Sequence, residues 1–124
     1  PLHQVMVPRN RVVSVELCAT RQECLATIRR NAHSRLLVFN RDPRKVVGYV
    51  STHSLLADDS WKNLEGHLHA IQTFAPHQSV AAAMMALQTE GGAIAAIVDR
   101  SGRLLGVITF KDLLEELSGE LHDW

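Results

Sequence analysis

Gly106-Val107-Ile108-Thr109-Phe110-Lys111-Asp112-Leu113-Leu114 reads as a strand running straight into a helix, and the chain writes it twice. Its earlier copy, offset by 58 residues, is Gly48-Tyr49-Val50-Ser51-Thr52-His53-Ser54-Leu55-Leu56. In both copies glycine opens an apolar, β-rich run. A hydroxyl residue, Ser51 or Thr109, then stands where a helix N-cap belongs. Leu-Leu follows in both copies.

Working outward, the same order of elements flanks both copies. In the first half, Val12 to Leu17 is a strand. Thr20-Arg21-Gln22-Glu23 fits a capping box. The helix behind it runs to about Asn31 with Cys24, Leu25 and Ile28 on one face. Leu36 to Phe39 is a strand, Asn40 to Pro43 a turn, Val46 to Ser51 a strand, and 52–57 a short helix. In the second half, His69 to Phe74 is a strand and Ser79 caps a helix from Val80 to about Glu90. Ala93 to Val98 and Leu104 to Thr109 are strands around the turn Asp99 to Gly102, and the last helix runs from Phe110 to about Leu117. A period near sixty residues marks an internal repeat. The predicted fold class is α/β (α+β), two β-α-β-β-α units.

With 124 residues, two such units are each too small to bury a large core, so they are expected to share one. The polar stretch Asp58 to Gly66 places the boundary. The expected organisation is a linker at 1–11, a first repeat at 12–65 and a second at 66–124. Formal net charge is zero, with 13 basic and 13 acidic residues, which argues against a nucleic-acid partner. Cys18 and Cys24 have neither CxxC spacing nor a second pair, so they read as reduced, largely buried thiols of a cytosolic protein. The longest apolar run, Val80 to Leu87, is far short of a membrane span. The start, Pro1-Leu2-His3-Gln4, shows neither initiator Met nor signal-peptide pattern and is expected to be a cut from a longer protein.

The chemistry concentrates where Thr109 ends a strand and begins a helix. Free N–H groups and the positive end of the helix dipole favour an anion such as phosphate there. Asp112, one turn on, is of the type that accepts both hydroxyls of a ribose in dinucleotide sites. The same spacing also serves as a capping box, with Asp in place of the usual Glu or Gln. The two roles are compatible.

The duplicated unit ending in Gly-h-h-Thr-x-x-Asp-Leu-Leu (h, hydrophobic) resembles a CBS domain pair. Three stretches are similar to the CorC/HlyC/CNNM family of membrane-associated proteins of magnesium and cobalt transport or resistance. They are Val5-Met6-Val7-Pro8-Arg9, His33-Ser34-Arg35, and Leu113-Leu114-Glu115-Glu116-Leu117-Ser118-Gly119-Glu120-Leu121. The resemblance implies a pseudo-twofold module on the cytosolic side of the cell membrane, attached to a membrane domain. It implies an adenine nucleotide (ATP, ADP or AMP, in CNNM-like members ATP with Mg2+) in a cleft between the repeats, and a homodimer.

Carried over residue by residue, the resemblance gives an asymmetric site. The second repeat keeps Thr109 and Asp112. The first keeps the hydroxyl at Ser51 but has Ser54 in place of the acid, so one nucleotide site is expected. Thr73, Phe74, Ala75 and Pro76 would line the base, Phe74 serving either the ring or the core. Arg35 is the candidate phosphate ligand, since a guanidinium fork suits phosphate oxygens; Arg9 and His33 are weaker candidates. His67 and His69 share a strand face, but no third metal ligand accompanies them. Met84 and Met85 read as core or interface packing. Glu115, Glu116, Glu120 and Asp123 read as a solvated face. No nucleophile–base pair, paired carboxylates or metal constellation points to an enzyme. The leading function is a regulatory nucleotide sensor for an attached membrane protein. The alternative is a structural dimerisation module with a vestigial nucleotide site.

Overall fold

A computed structural model describes residues 1–90 and 94–121, apart from the side chains of 89–90 and 119–121. It divides into two units, one of Pro1–Val12 with Ile71–Trp124 and one of Val13–Ala70.

The unit built on the first repeat holds β2 (Ser14–Glu16), α1 (Arg21–Arg30), β3 (Arg35–Phe39), β4 (Val46–Ser51) and α2 (Thr52–Ala57), numbered after β1 (Val7–Pro8) of the other unit. Its sheet has the order β2-β3-β4, with β2 parallel and β4 antiparallel to β3. The capping box forms as its sequence predicts. Glu23 N–H donates to Thr20 Oγ1 at 3.1 Å and Thr20 N–H to Glu23 Oε1 at 2.9 Å. Val15, Cys24, Leu36, Val38, Val50, Leu55, Trp61 and Leu64 make the core of this unit. Burial raises the thiol pKa of Cys24, with the Glu23 charge adding to it. Cys18 is exposed, so the expectation of two buried thiols holds for Cys24 alone: Cys18 lies in the turn after β2, outside the helix face that carries Cys24.

The other unit holds β1, β5 (Gln72–Phe74), α3 (Val80–Glu90), β6 (Ile94–Val98), β7 (Leu104–Thr109) and α4 (Phe110–Leu121). Its sheet has the order β1-β7-β6-β5. The duplication appears in the register itself. Arg35 pairs with Ser51 as Ile94 pairs with Thr109, and each hairpin shifts register at the equivalent place, Val38/Phe39 and Ile97/Val98. Ala93, expected to open β6, lies outside the described residues.

Residues 1–11, expected as a linker, fold onto the second repeat. Leu2 is fully buried beside Phe74, Ala83, Leu87, Ala95, Ile97, Ile108 and Leu113. Leu2 N–H donates to Gln78 O at 2.9 Å and His3 N–H to Pro76 O at 3.0 Å. Val7 and Pro8 then pair antiparallel with Val107 and Gly106. The strand expected from His69 begins only at Gln72. His69 instead exchanges backbone hydrogen bonds with Tyr49, at 3.0 and 2.9 Å, and stacks its ring on that tyrosine.

These two edge contacts explain the repeated glycine. A Cβ on Gly106 would lie 2.4 Å from Val7 O and 2.7 Å from Met6 Sδ. On Gly48 it would lie 2.4 Å from His69 O. In each repeat the glycine admits a crossing backbone.

Candidate functional site at the β7–α4 junction

Thr109 and Asp112 cap each other. Asp112 N–H donates to Thr109 Oγ1 at 3.1 Å, and Thr109 N–H donates to Asp112 Oδ2 at 3.3 Å. Both side chains are half-buried. The shorter bond holds the hydroxyl on the first turn of α4; the longer one is near the limit of a useful hydrogen bond. One carboxylate oxygen is therefore engaged only weakly, and Oδ1 has no partner among the described residues. The junction presents a carboxylate, a hydroxyl and helix N-terminal amides within one turn.

The first repeat forms half of this device. Ser54 N–H donates to Ser51 Oγ at 3.3 Å. With a hydroxymethyl at 54, no carboxylate returns the bond. Arg35 sits across the hairpin from Ser51, half-exposed and without an ion pair among the described residues. The preceding His33-Ser34 works through its backbone: Thr52 Oγ1 donates to His33 O at 2.8 Å and Thr52 N–H to Ser34 O at 3.0 Å. These bonds dock the first residue of α2 on the start of β3. Arg9 is exposed in a short 3₁₀ turn, Arg9–Arg11, after β1.

Thr73, Phe74, Ala75 and Pro76 come together, but not with Thr109 and Asp112. Phe74 pairs with Ile97, whereas Thr109 pairs with Ile94 at the opposite end of β6. At about 3.3 Å per residue along a strand, three residues of β6 offset them by about 10 Å along the strand direction, with β6 itself lying between β5 and β7, and Ala75 and Pro76 lie farther still. The four line a separate cleft of about 360 Å³ with His77, Val98, Asp99 and Arg100. Parallel pairing of β5 with β6 is the physical reason: the strand that enters beside Thr109 leaves at the far end. Phe74 is 6% exposed and belongs to the core. The backbone N–H groups of Arg103 and Ser101 donate to Asp99 in this cleft and hold its carboxyl below the usual range.

The β5 residue nearest the junction is Gln72, which the sequence reading passed over. It pairs with Ala95, which pairs in turn with Ile108, the row beside Ile94–Thr109. Its Oε1 is buried without a partner. The available signal was a polar residue two positions before Phe74, on the same inward face of a strand.

The remaining polar residues have local partners. His67 Nε2 lies 3.0 Å from Asp58 Oδ2, and His69 stacks on Tyr49, so the two histidines do not converge. No group of three metal-type ligands occurs among the described residues. Met84 packs against the core and Met85 is 70% exposed. Glu115 and Glu116 are exposed, Glu115 lying 4.0 Å from Lys111 one turn away. The side chains of Glu120 and Asp123 lie outside the described residues.

Residues 68–119 match the CBS domain family. The chain resembles a CBS domain pair. It is 27% identical over 129 residues to the magnesium and cobalt efflux protein CorC of Buchnera aphidicola, covering 98% of this chain and 43% of that protein. It matches a CBS domain of a bacterial CNNM/CorC family Mg2+ transporter in complex with ATP at a TM-score of 0.89, with 24% identity, over 96% of this chain and 87% of that one. A CBS domain protein from Shewanella oneidensis matches equally well, at a TM-score of 0.89 and 25% identity over 97% and 98% of the two chains. The chain therefore spans less than half the length of the CorC relative. Among the described residues the mixed fold of four α-helices and two sheets is that of these domains, and the likeness to CorC/CNNM proteins read from three stretches agrees with them. Among the described residues no helix is long and apolar enough to cross a membrane.

Proposed function

We propose that this chain is the regulatory CBS module of a CorC/CNNM-type protein, binding one adenine nucleotide at the β7–α4 junction. The supporting observation is the asymmetry of the repeats: the second carries a carboxylate, a hydroxyl and free amides at one helix start, and the first lacks the acid. The Asp112 carboxylate offers Oδ1 to one ribose hydroxyl at once. Oδ2 serves the other when the 3.3 Å bond from Thr109 gives way. The helix N-terminus favours the phosphate charge. Arg35 is proposed as a phosphate ligand on the resemblance to related pairs, and Mg2+ as the counter-ion the nucleotide brings with it. Thr73 to Pro76 remain candidates for the base only if their cleft and the junction are occupied together. The relatives' names extend the proposal to regulation of an attached membrane protein of divalent-cation transport, with the module at the cytosolic face and paired as a homodimer. Binding would act by preferring one state of the module over another. This is a binding role and not an enzymatic one.

The competing reading is a structural dimerisation module with a vestigial site. The observation favouring it is that Asp112 already performs a cap. Calorimetry with ATP–Mg2+, ADP and AMP separates the two, on the wild type and on Asp112→Asn, which keeps an acceptor for the cap but loses the charge. Sensing requires binding in the wild type and a loss of about tenfold or more in the variant, the scale of one charge-assisted hydrogen bond. Absence of heat with all three nucleotides at millimolar levels refutes it.

A further inference from the structure

We propose that residues 1–12 are the read-out of the Thr109–Asp112 junction: the N-terminal segment docks on β7, and its docking and the state of the junction shift together. The inference rests on the reading of that junction as the ligand site and concerns how the site is coupled to the rest of the chain.

The geometry is that of a strap over one strand. Val7 and Pro8 pair antiparallel with Val107 and Gly106, so the pairing stops at Val7, two residues short of Thr109 on the strand that delivers it, and the chain beyond Pro8 runs away from Thr109. Contact is close enough that Val7 O and Met6 Sδ occupy the place of a Gly106 side chain. The turn Arg9–Arg11 continues along β7. At its other end the strap is fixed by Leu2 in the core and by the bonds of Leu2 and His3 to Gln78 O and Pro76 O. Between these anchors only two residues pair as strand, a piece of structure from the low-stability end of a fold. β7 thus has a firm neighbour, β6, and a weakly held one, β1. A change in the pitch of β7 at Thr109 is transmitted more cheaply to β1. Coupling of this kind is reciprocal in binding free energy: a ligand that fixes Thr109 tightens the strap, and loosening the strap weakens the ligand by the same factor. The equivalent contact in the other unit, His69 on Tyr49, borders a junction without an acid. It serves as the internal control.

Hydrogen–deuterium exchange on the whole chain tests the proposal. In the absence of ligand, Asp112→Ala should raise exchange of the peptide spanning residues 2–8 by about tenfold while leaving the peptide around His69 unchanged. Exchange in 2–8 equal to wild type overturns the proposal. With ATP–Mg2+ at saturation, wild-type 2–8 should be protected; nucleotide binding seen by calorimetry without that protection also overturns it. If calorimetry shows no binding, the nucleotide reading fails, and the ligand-free comparison alone decides the coupling. Gly106→Ala, which displaces the strap directly, should raise exchange in 2–8 and weaken nucleotide binding by a matching factor. Unaltered affinity with an undocked strap refutes the coupling.

Discussion

The amide of Asp112 donates to Thr109 Oγ1 at 3.1 Å while the amide of Thr109 donates back to Asp112 Oδ2 at 3.3 Å, and the equivalent pair Ser51 and Ser54 makes only the first of these bonds. The helix behind the complete box, α4, runs twelve residues; the one behind the half box, α2, runs six. A missing reciprocal bond leaves one amide at the start of α2 without its side-chain acceptor. Ser54→Asp supplies the carboxylate and places negative charge in the first turn, which the helix dipole favours. The expected result is a gain of about 0.5 kcal/mol, read from urea unfolding. A loss of stability would show that the pocket around residue 54 does not admit the acid.

Gly48 carries the same backbone crossing in the first repeat that Gly106 carries in the second. A methyl group there meets His69 O at 2.4 Å and Leu68 Cδ1 at 2.8 Å. The carbonyl is backbone and bonded to Tyr49 N–H, so relief requires the whole crossing to move. Gly48→Ala should destabilise the chain by about 1–3 kcal/mol, the usual cost of forcing volume into a packed contact. Its exchange signature should be confined to residues near 49 and 69. A midpoint equal to wild type would mean that the crossing is not needed.

The sequence carried the repeat because each copy encodes it locally. Caps at Thr20, Ser51, Ser79 and Thr109 all form side-chain bonds to the following helix, and the strand runs alternate or are wholly apolar. What escaped the sequence depends on partners distant in the chain. Residues 1–11 contain a strand of two residues paired with β7, roughly a hundred positions away, and nothing in Val5 to Arg9 has a period that shows it. The entry of β5 was misplaced for the same reason: His69 sits in an apolar context but is claimed by Tyr49. The mutual cap of Thr109 and Asp112 was legible because its chemistry is local, and the separation of Thr73 to Pro76 from it was not. Their distance from Thr109 follows from which end of β6 each strand meets, a matter of pairing direction rather than of residue type.

Leu2 tests the revised boundary. It is fully buried among Phe74, Leu87, Ile97 and Leu113, and it anchors the otherwise largely exposed residues 1–11 to the second repeat. Leu2→Ala should cost about 2–5 kcal/mol, the range for emptying a leucine-sized space in a core. Removing an exposed neighbour, as in Gln4→Ala, should cost almost nothing. If Leu2→Ala proves as mild as Gln4→Ala, the N-terminal segment does not pack as described.

Asp58 makes acid stability predictable. Its Oδ1 accepts from Ser60 Oγ at 2.7 Å and from Ser60 N–H at 3.0 Å, and Oδ2 lies 3.0 Å from His67 Nε2. The Ser60 bonds first, and His67 after them, lower its pKa from 3.8 to about 2. A carboxyl whose folded pKa lies below its unfolded one stabilises the fold above the unfolded value. That contribution disappears as pH falls through the folded one. Asp58→Asn should therefore be less stable than wild type at neutral pH and at pH values down to about 4. The two should converge as the pH approaches about 2. The measurement is the urea midpoint of both proteins by circular dichroism across that range. A gap of constant size down to the lowest pH would show that the charge on Asp58 contributes nothing and that only its shape matters.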